Sequence, residues 1–428
     1  MRAFLRPGYA AVGQLARGLA AVVPAGDHKL LRTLRARRDI ARRYAHWGVR
    51  DRRPDRPLLW MHAPSVGEGL QARPVLQLLR AEYPRAQIAY THFSPSAERF
   101  AHSLGADFAD YLPFDTASDT RMALDALRPS ALVFAKLDLW PMLVDQAAAR
   151  GVRLGMISAT LSERSGRRGK LGRALLGDAY AQLDAVGAID DGDAARLIGL
   201  GVREAVIAVT GDTRYDQVWE RAEGVDRRAP LLAALANGRP TLVAGSTWPS
   251  DEHVLLPAFE QARAAHPTVR AIIAPHEPGE ASVQALERWS AKARLRGARL
   301  GTDAAASADV VIVDRVGVLG DLYALGDIAY VGGGFHAAGL HSVLEPAAFG
   351  IPVLFGPRVV GSRDAELLAA RGGGVSIGSS GALADQVGRW LTDPGSRADA
   401  GARARGLVAD GLGAARATYE LVRTLLPA

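Results

Sequence analysis

Three carboxylates stand in this sequence where a strand gives way to a turn or helix. Glu345 lies within residues 331–357, where the apolar run 328–331 is followed by Gly332, Gly333 and Gly334 and later by a helix start at Pro346, Ala347 and Ala348. A backbone without Cβ atoms lets a ligand approach a strand end. A helix N-terminus offers free N–H groups to a phosphate, and a carboxylate accepts hydrogen bonds from ribose hydroxyls. With the second short strand at 352–355, this is the layout of a nucleotide-sugar pocket, although a glycine turn or a capped helix read singly is also plain structure. Glu68 follows the strand 58–63 on a Gly67, Gly69 turn ahead of a helix. A carboxylate there is either a cap that offsets the helix dipole or a base for a hydroxyl proton. Asp138 follows the strand 131–135, with Lys136, Leu139 and Trp140 beside it.

The elements that position these groups alternate. Residues 58–63, 87–93, 131–135, 153–158, 185–189 and 205–210 read as buried strands, separated by amphipathic stretches such as 75–82. After a charged joint over 214–240, the runs 241–245, 271–274, 310–313, 328–331, 352–355 and 374–377 repeat the pattern. Alternation of this kind predicts parallel α/β domains. Two Rossmann-like domains facing a cleft form a GT-B architecture. The expected divisions are an arm over 1–56, an N-terminal domain over 57–215, a C-terminal domain over 216–400 and a C-terminal helix over 401–428.

The 428 residues exceed what one ordinary core organises. With no cysteine, disulfides and thiolate metal sites are excluded. The net charge of +7 is uneven: residues 1–56 hold fourteen Lys and Arg against four Asp, net +10, and the remainder is net −3. Within that arm Val12, Leu15, Ala16, Leu19, Val22 and Val23 recur at helical spacing until Pro24 and Gly26. A basic run from Lys29 to Arg43, including Arg32, Arg35, Arg37, Arg38 and Arg42, follows. The arm is expected to lie on an anionic membrane surface; a basic helix packed on the body, or a targeting or spanning segment, are the other readings. Nucleic acid is not an expected partner, because aromatic residues are few among the basic ones. The ten histidines form no pair at metal-ligand spacing, and no metal is expected.

The segment GLHSVLEPAAFGIPVLFGP resembles the donor-site segment of the Kdo (3-deoxy-D-manno-octulosonic acid) transferases of lipopolysaccharide synthesis. The likeness continues in order through HAPSVGEG (62–69), YLPFD (111–115), LDLWP (137–141), LSERS (161–165), TGDTRYD (210–216), AGSTWPSDE (244–252), APHEP (274–278) and VIVDRVGVLGDLY (311–323). The resemblance implies the GT-B fold and an inverting, metal-independent glycosyltransferase. That enzyme would move Kdo from CMP-Kdo to a lipid A precursor at the cytoplasmic face of the bacterial inner membrane, with no cofactor beyond the donor. It implies Glu68 as catalytic base and Lys136 and Asp138 on the acceptor side. The donor residues it implies are Arg214, Ser246, Thr247, His276, Glu277, Gly317, Leu319, Gly333, Gly334, Ser342 and Glu345. The basic group Arg164, Arg167, Arg168, Lys170 and Arg173 would meet acceptor phosphates.

Several positions depart from the commoner pattern. Lys136 and Asp138 replace the two glutamates of ETELWPN, His276 and Glu277 stand for an Arg-His pair, Arg214 for a lysine and Ser342 for an asparagine. Two other readings therefore remain: a GT-B transferase using a UDP-sugar and another acceptor, and a non-catalytic membrane protein that keeps the fold.

Overall fold

The structure is a computed structural model that describes residues 1, 3–22, 29–163 and 165–427. Val23, Pro24 and Gly26 at the end of the arm's apolar stripe, and Arg164 of the basic group, lie outside the described residues. The chain divides into two compact units, residues 1–217 with 413–428, and residues 218–412.

The first unit is built on seven strands: β1 (Leu58–His62), β2 (Gln87–His92), β3 (Phe108–Tyr111), β4 (Ala131–Ala135), β5 (Arg153–Ala159), β6 (Ala185–Ala188) and β7 (Ile207–Val209). All pair in parallel, in the order β3-β2-β1-β4-β5-β6-β7. Every residue of β1 is buried, since helices cover both faces. Successive side chains feed opposite layers: Leu58 and Trp60 join one hydrophobic cluster, Leu59 and Met61 the other. Each such leucine contributes about 1.5–3 kcal/mol by leaving water.

The second unit has β8 (Thr241–Thr247), β9 (Arg270–Pro275), β10 (Gly297–Arg299), β11 (Val310–Ile312), β12 (Ile328–Val331), β13 (Val353–Phe355) and β14 (Gly374–Ser376). These too are all parallel, in the order β10-β11-β9-β8-β12-β13-β14. Asp309, just before β11, gathers Arg239, Arg263 and Arg296 at 3.0, 2.8 and 3.0 Å.

Four expectations change. Strands β3 and β10 escaped the sequence reading. Both lie at sheet edges, where burial demands less apolar sequence, and each carries a charged residue, Asp110 or Arg299. The helix expected over 75–82 spans Val66–Glu82, so Gly67 and Gly69 are helical rather than a turn. Gly69 is small for packing: a Cβ there would stand 2.4 Å from the Phe100 ring. Residues 401–428 hold parts of two helices, Pro394–Asp410 and Ala414–Arg423. The latter rejoins the first unit, where Tyr419, Val422, Leu425 and Leu426 enter the cluster of Leu59 and Met61.

The arm is the fourth correction. Ile40, Tyr44 and Trp47 belong to the first unit's core. Arg37 is buried, donating to the Leu112 carbonyl at 2.9 Å and lying 4.2 Å from the Phe93 ring centre, and Arg43 holds Asp110 at 2.6 and 2.8 Å. Part of the basic run is thus consumed inside the fold. By contrast, Val12, Leu15, Leu19 and Val22 on the Arg6–Val22 helix are all exposed. Among the described residues no helix is long and apolar enough to cross a membrane.

Candidate functional site

In the first unit, chemistry-bearing side chains collect at the C-terminal ends of β1 and β4. Ser65 caps the Val66–Glu82 helix, its Oγ accepting from Gly67 N at 3.2 Å, and this places Glu68 in the first turn. The Glu68 carboxylate accepts from the Ser65 hydroxyl and lies 3.4 Å from Lys136 Nζ. Lys136 leaves β4 with a left-handed backbone (φ 56°) that few non-glycine residues adopt, pinned by its N–H to the Ile157 carbonyl at 2.8 Å. Strain of this kind aims its side chain independently of the strand's alternation.

Asp138 is brought to His62, the last residue of β1, with Oδ2 2.9 Å from Nε2. Trp140 Nε1 donates to the same oxygen at 3.2 Å, and its ring stacks on Phe93 with centroids 5.8 Å apart. His62 Nδ1 lies 3.0 Å from Thr91 Oγ1, itself bonded by Trp60 Nε1 at 2.9 Å. Burial raises the Asp138 carboxyl, but the His62 and Trp140 bonds and the nearby Arg167 charge outweigh it, leaving it below the usual range. Arg167, Arg168, Lys170 and Arg173 are exposed. His62 as the partner of Asp138 is the residue that sequence reasoning missed, although it opens the HAPSVGEG motif.

Arg214 also belongs to the first unit. Its guanidinium is engaged by the buried Asp212, at 2.9 and 2.6 Å to Oδ2. Burial raises Asp212 while Arg214 and Gln71 lower it, with a net fall below the usual range. Thr213 Oγ1 donates to the Gln71 carbonyl at 2.8 Å, so the TGDTRYD segment is fastened to the helix that carries Glu68.

In the second unit the remaining candidates surround the C-terminal ends of β8, β9 and β12. Ser246 has a left-handed backbone (φ 55°), and Thr247 Oγ1 donates to Glu252 Oε1 at 2.9 Å. Neither caps the following Pro249–Ala265 helix; Trp248 occupies that position. The Trp248 ring stacks on His336 (centroids 4.0 Å apart) and on His276 (4.5 Å), His276 also stacks on His341 at 4.4 Å, and Trp248 Nε1 donates to His341 Nε2 at 3.2 Å. Trp248 and His336 border a hollow of about 680 Å³ that Glu252, His253 and Glu277 also line.

Glu345 lies in the first turn of the Leu344–Ala348 helix, too short to carry a strong dipole. Burial raises its carboxyl above the usual range, against the charge of Arg221, which is bound to Asp321 at 3.0 Å. Gly317 (φ 90°) turns the chain ahead of Leu319, and Ser342 is exposed. The three glycines are explained by backbone crowding: a Cβ at Gly332, Gly333 or Gly334 would meet Ser246 O at 2.2 Å, Gly339 O at 2.1 Å or Gly356 N at 2.4 Å. Among the described residues no group of three His, Asp or Glu side chains is gathered for a metal ion.

Two parallel seven-stranded sheets with polar groups at their strand ends define a protein of the GT-B class. The fold is shared with UDP-GlcNAc 2-epimerase from Neisseria meningitidis (TM-score 0.60, 14% identity, 86% of this chain and 100% of that one). It is shared as well with a putative UDP-N-acetylglucosamine 2-epimerase from Listeria monocytogenes (TM-score 0.59, 12% identity, 86% and 96%). Sequence narrows the class. The family model described as 3-deoxy-D-manno-octulosonic-acid transferase (kdotransferase) matches residues 38–217. The 3-deoxy-D-manno-octulosonic acid transferase of Bordetella pertussis is 30% identical over 397 residues, 90% of this chain and 91% of that protein. That of Haemophilus influenzae is 29% identical over 328 residues, 75% of each chain. The chain belongs to the Kdo transferase family and is a glycosyltransferase.

Proposed function

We propose that this protein transfers Kdo from CMP-Kdo to a hydroxyl of a lipid A precursor, with inversion and without a metal ion. The observation that carries the reading is the Glu68 carboxylate, set in a first helical turn at the sheet's C-terminal edge between the Ser65 hydroxyl and the Lys136 ammonium. Glu68 removes the acceptor proton as the oxygen attacks the anomeric carbon; the bond from that carbon to the phosphate oxygen breaks, and CMP departs. Lys136, Asp138 and the basic loop that includes Arg167 meet the acceptor and its phosphates. Ser246, Thr247, His276, Glu277, Gly317, Leu319, Ser342 and Glu345 hold the donor in the second unit, with Glu345 on the ribose. The exposed stripe Val12, Leu15, Leu19 and Val22 supports peripheral attachment to the cytoplasmic face of the inner membrane.

Purified protein, CMP-Kdo and a defined lipid A precursor, analysed by mass spectrometry, test the reading. A Kdo-bearing product is expected, and Glu68→Gln should lower kcat by about 10²–10⁴-fold while CMP binding persists. Competition by UDP instead of CMP would favour a UDP-sugar enzyme. No product, with vesicle binding intact, would favour a non-catalytic protein.

A further inference from the structure

The carboxylate of Asp251, fully buried in the first turn of the Pro249–Ala265 helix, is the acceptor for three backbone amides and a phenol. Trp248 N and Gly333 N donate to Oδ2 at 2.9 and 2.8 Å; Phe335 N and the Tyr330 hydroxyl donate to Oδ1 at 3.2 and 3.3 Å. Two of those amides belong to the glycine turn after β12. N–H groups at a strand-end turn, close to a helix start, form the kind of concavity that receives a phosphate of a bound nucleotide. In this chain they are turned onto a side-chain anion.

Resting on the donor-site reading above, we infer that Asp251 is a specificity-determining residue that selects a nucleoside monophosphate sugar over a nucleoside diphosphate sugar. The amides of Gly333 and Phe335, taken by Asp251, are not available to a second phosphate. The carboxylate also places a negative charge beneath the turn, which a second phosphate would have to approach. A donor with one phosphate avoids both penalties. Asp251 touches no reacting atom in this account; it acts through the turn it holds.

Binding of CMP and CDP to the full chain, measured by calorimetry at pH 7.5, tests the inference. The wild type should bind CMP at least tenfold more tightly than CDP. Asp251→Asn, shown folded by circular dichroism, should lower that preference at least tenfold, chiefly by improving CDP. Tyr330→Phe, which keeps the charge and removes only the phenol, should preserve it. A purely structural role for Asp251 weakens both nucleotides alike, and an unchanged ratio in Asp251→Asn overturns the inference. So does a wild type that binds CDP as well as CMP, a result independent of whether the variant folds. A wild type that binds neither nucleotide overturns the donor-site reading and this inference with it.

Discussion

Lys136 stands where the commoner family pattern has a glutamate, and its ammonium is 3.4 Å from the proposed base. Both groups are partly exposed, so the pair is worth about 1 kcal/mol or less as a bridge, but its position bears on the base itself. Lys136→Met should lower kcat/KM by about tenfold, equivalent to about 1.4 kcal/mol, with the melting temperature nearly unchanged; steady-state kinetics beside thermal melts would check this. His92 offers a pH test. Burial depresses its imidazole to about 4, against the Ser94 carbonyl bond that raises it. Because the folded value lies below the ordinary 6.5, stability is full above about pH 6.5 and declines as pH falls toward 4, by about 2–3 kcal/mol. His92→Gln should flatten that part of the urea-denaturation profile; a slope equal to wild type would refute the assignment. At this scale the carboxylates were legible because strand ends and helix starts leave marks in sequence. The pairing of His62 with Asp138 was not, since two residues 76 apart meet only after β1 and β4 align.

Among the elements, every central strand announced itself, whereas of the four edge strands β7 and β14 did and β3 and β10 did not. β1 and β4 are continuous apolar runs because both faces are covered, whereas β3 needs only four residues and keeps Asp110 to hold Arg43. The same physics hid the arm's contribution: a run rich in arginine reads as a solvated face until Tyr44 and Trp47 are seen inside the core. Asp309 ties Arg239, ahead of β8, and Arg296, ahead of β10, to Arg263 in the last turn of the Pro249–Ala265 helix. Burial raises its carboxyl, but the arginine bonds hold it well below the usual range. This stabilisation is therefore present above the ordinary aspartate value and is lost as pH falls through the folded one. Asp309→Ala should destabilise the second unit by about 1–3 kcal/mol at pH 7, by removing the carboxylate that the three arginines share, as read by urea denaturation.

For the whole molecule, the excess of positive charge and an exposed apolar stripe fall in the same stretch of the chain. The body is net −3 while residues 1–56 are net +10, and the exposed stripe on the Arg6–Val22 helix lies in that basic segment. Changing Val12, Leu15 and Leu19 together to serine should reduce co-sedimentation with vesicles containing phosphatidylglycerol by about tenfold or more, since each apolar side chain contributes on the order of 1 kcal/mol. Turnover of a short-chain, water-soluble acceptor should stay near wild type; unchanged sedimentation would place the contact elsewhere. The division into two α/β units was readable from the repeating alternation of strands and helices, but the return of the last helix to the first unit was not. Its apolar face resembles that of any amphipathic helix, and only the cluster with Leu59 and Met61 shows what it covers.

That return has a consequence for biosynthesis. The chain leaves the first unit after Gln217 and re-enters it at Gly413, and the Asp216 carboxylate fastens the crossing by accepting from Gly413 N and Ala415 N, both at 2.8 Å. The second unit is thus an insertion whose whole sequence emerges from the ribosome before the first unit possesses Tyr419, Val422, Leu425 and Leu426. The unit that begins first is finished last. A premature stop at codon 413 would release a chain able to complete its second sheet while the part of the first sheet's face not already covered by the Val66–Glu82 helix stays open, and so a substrate for chaperones and proteases.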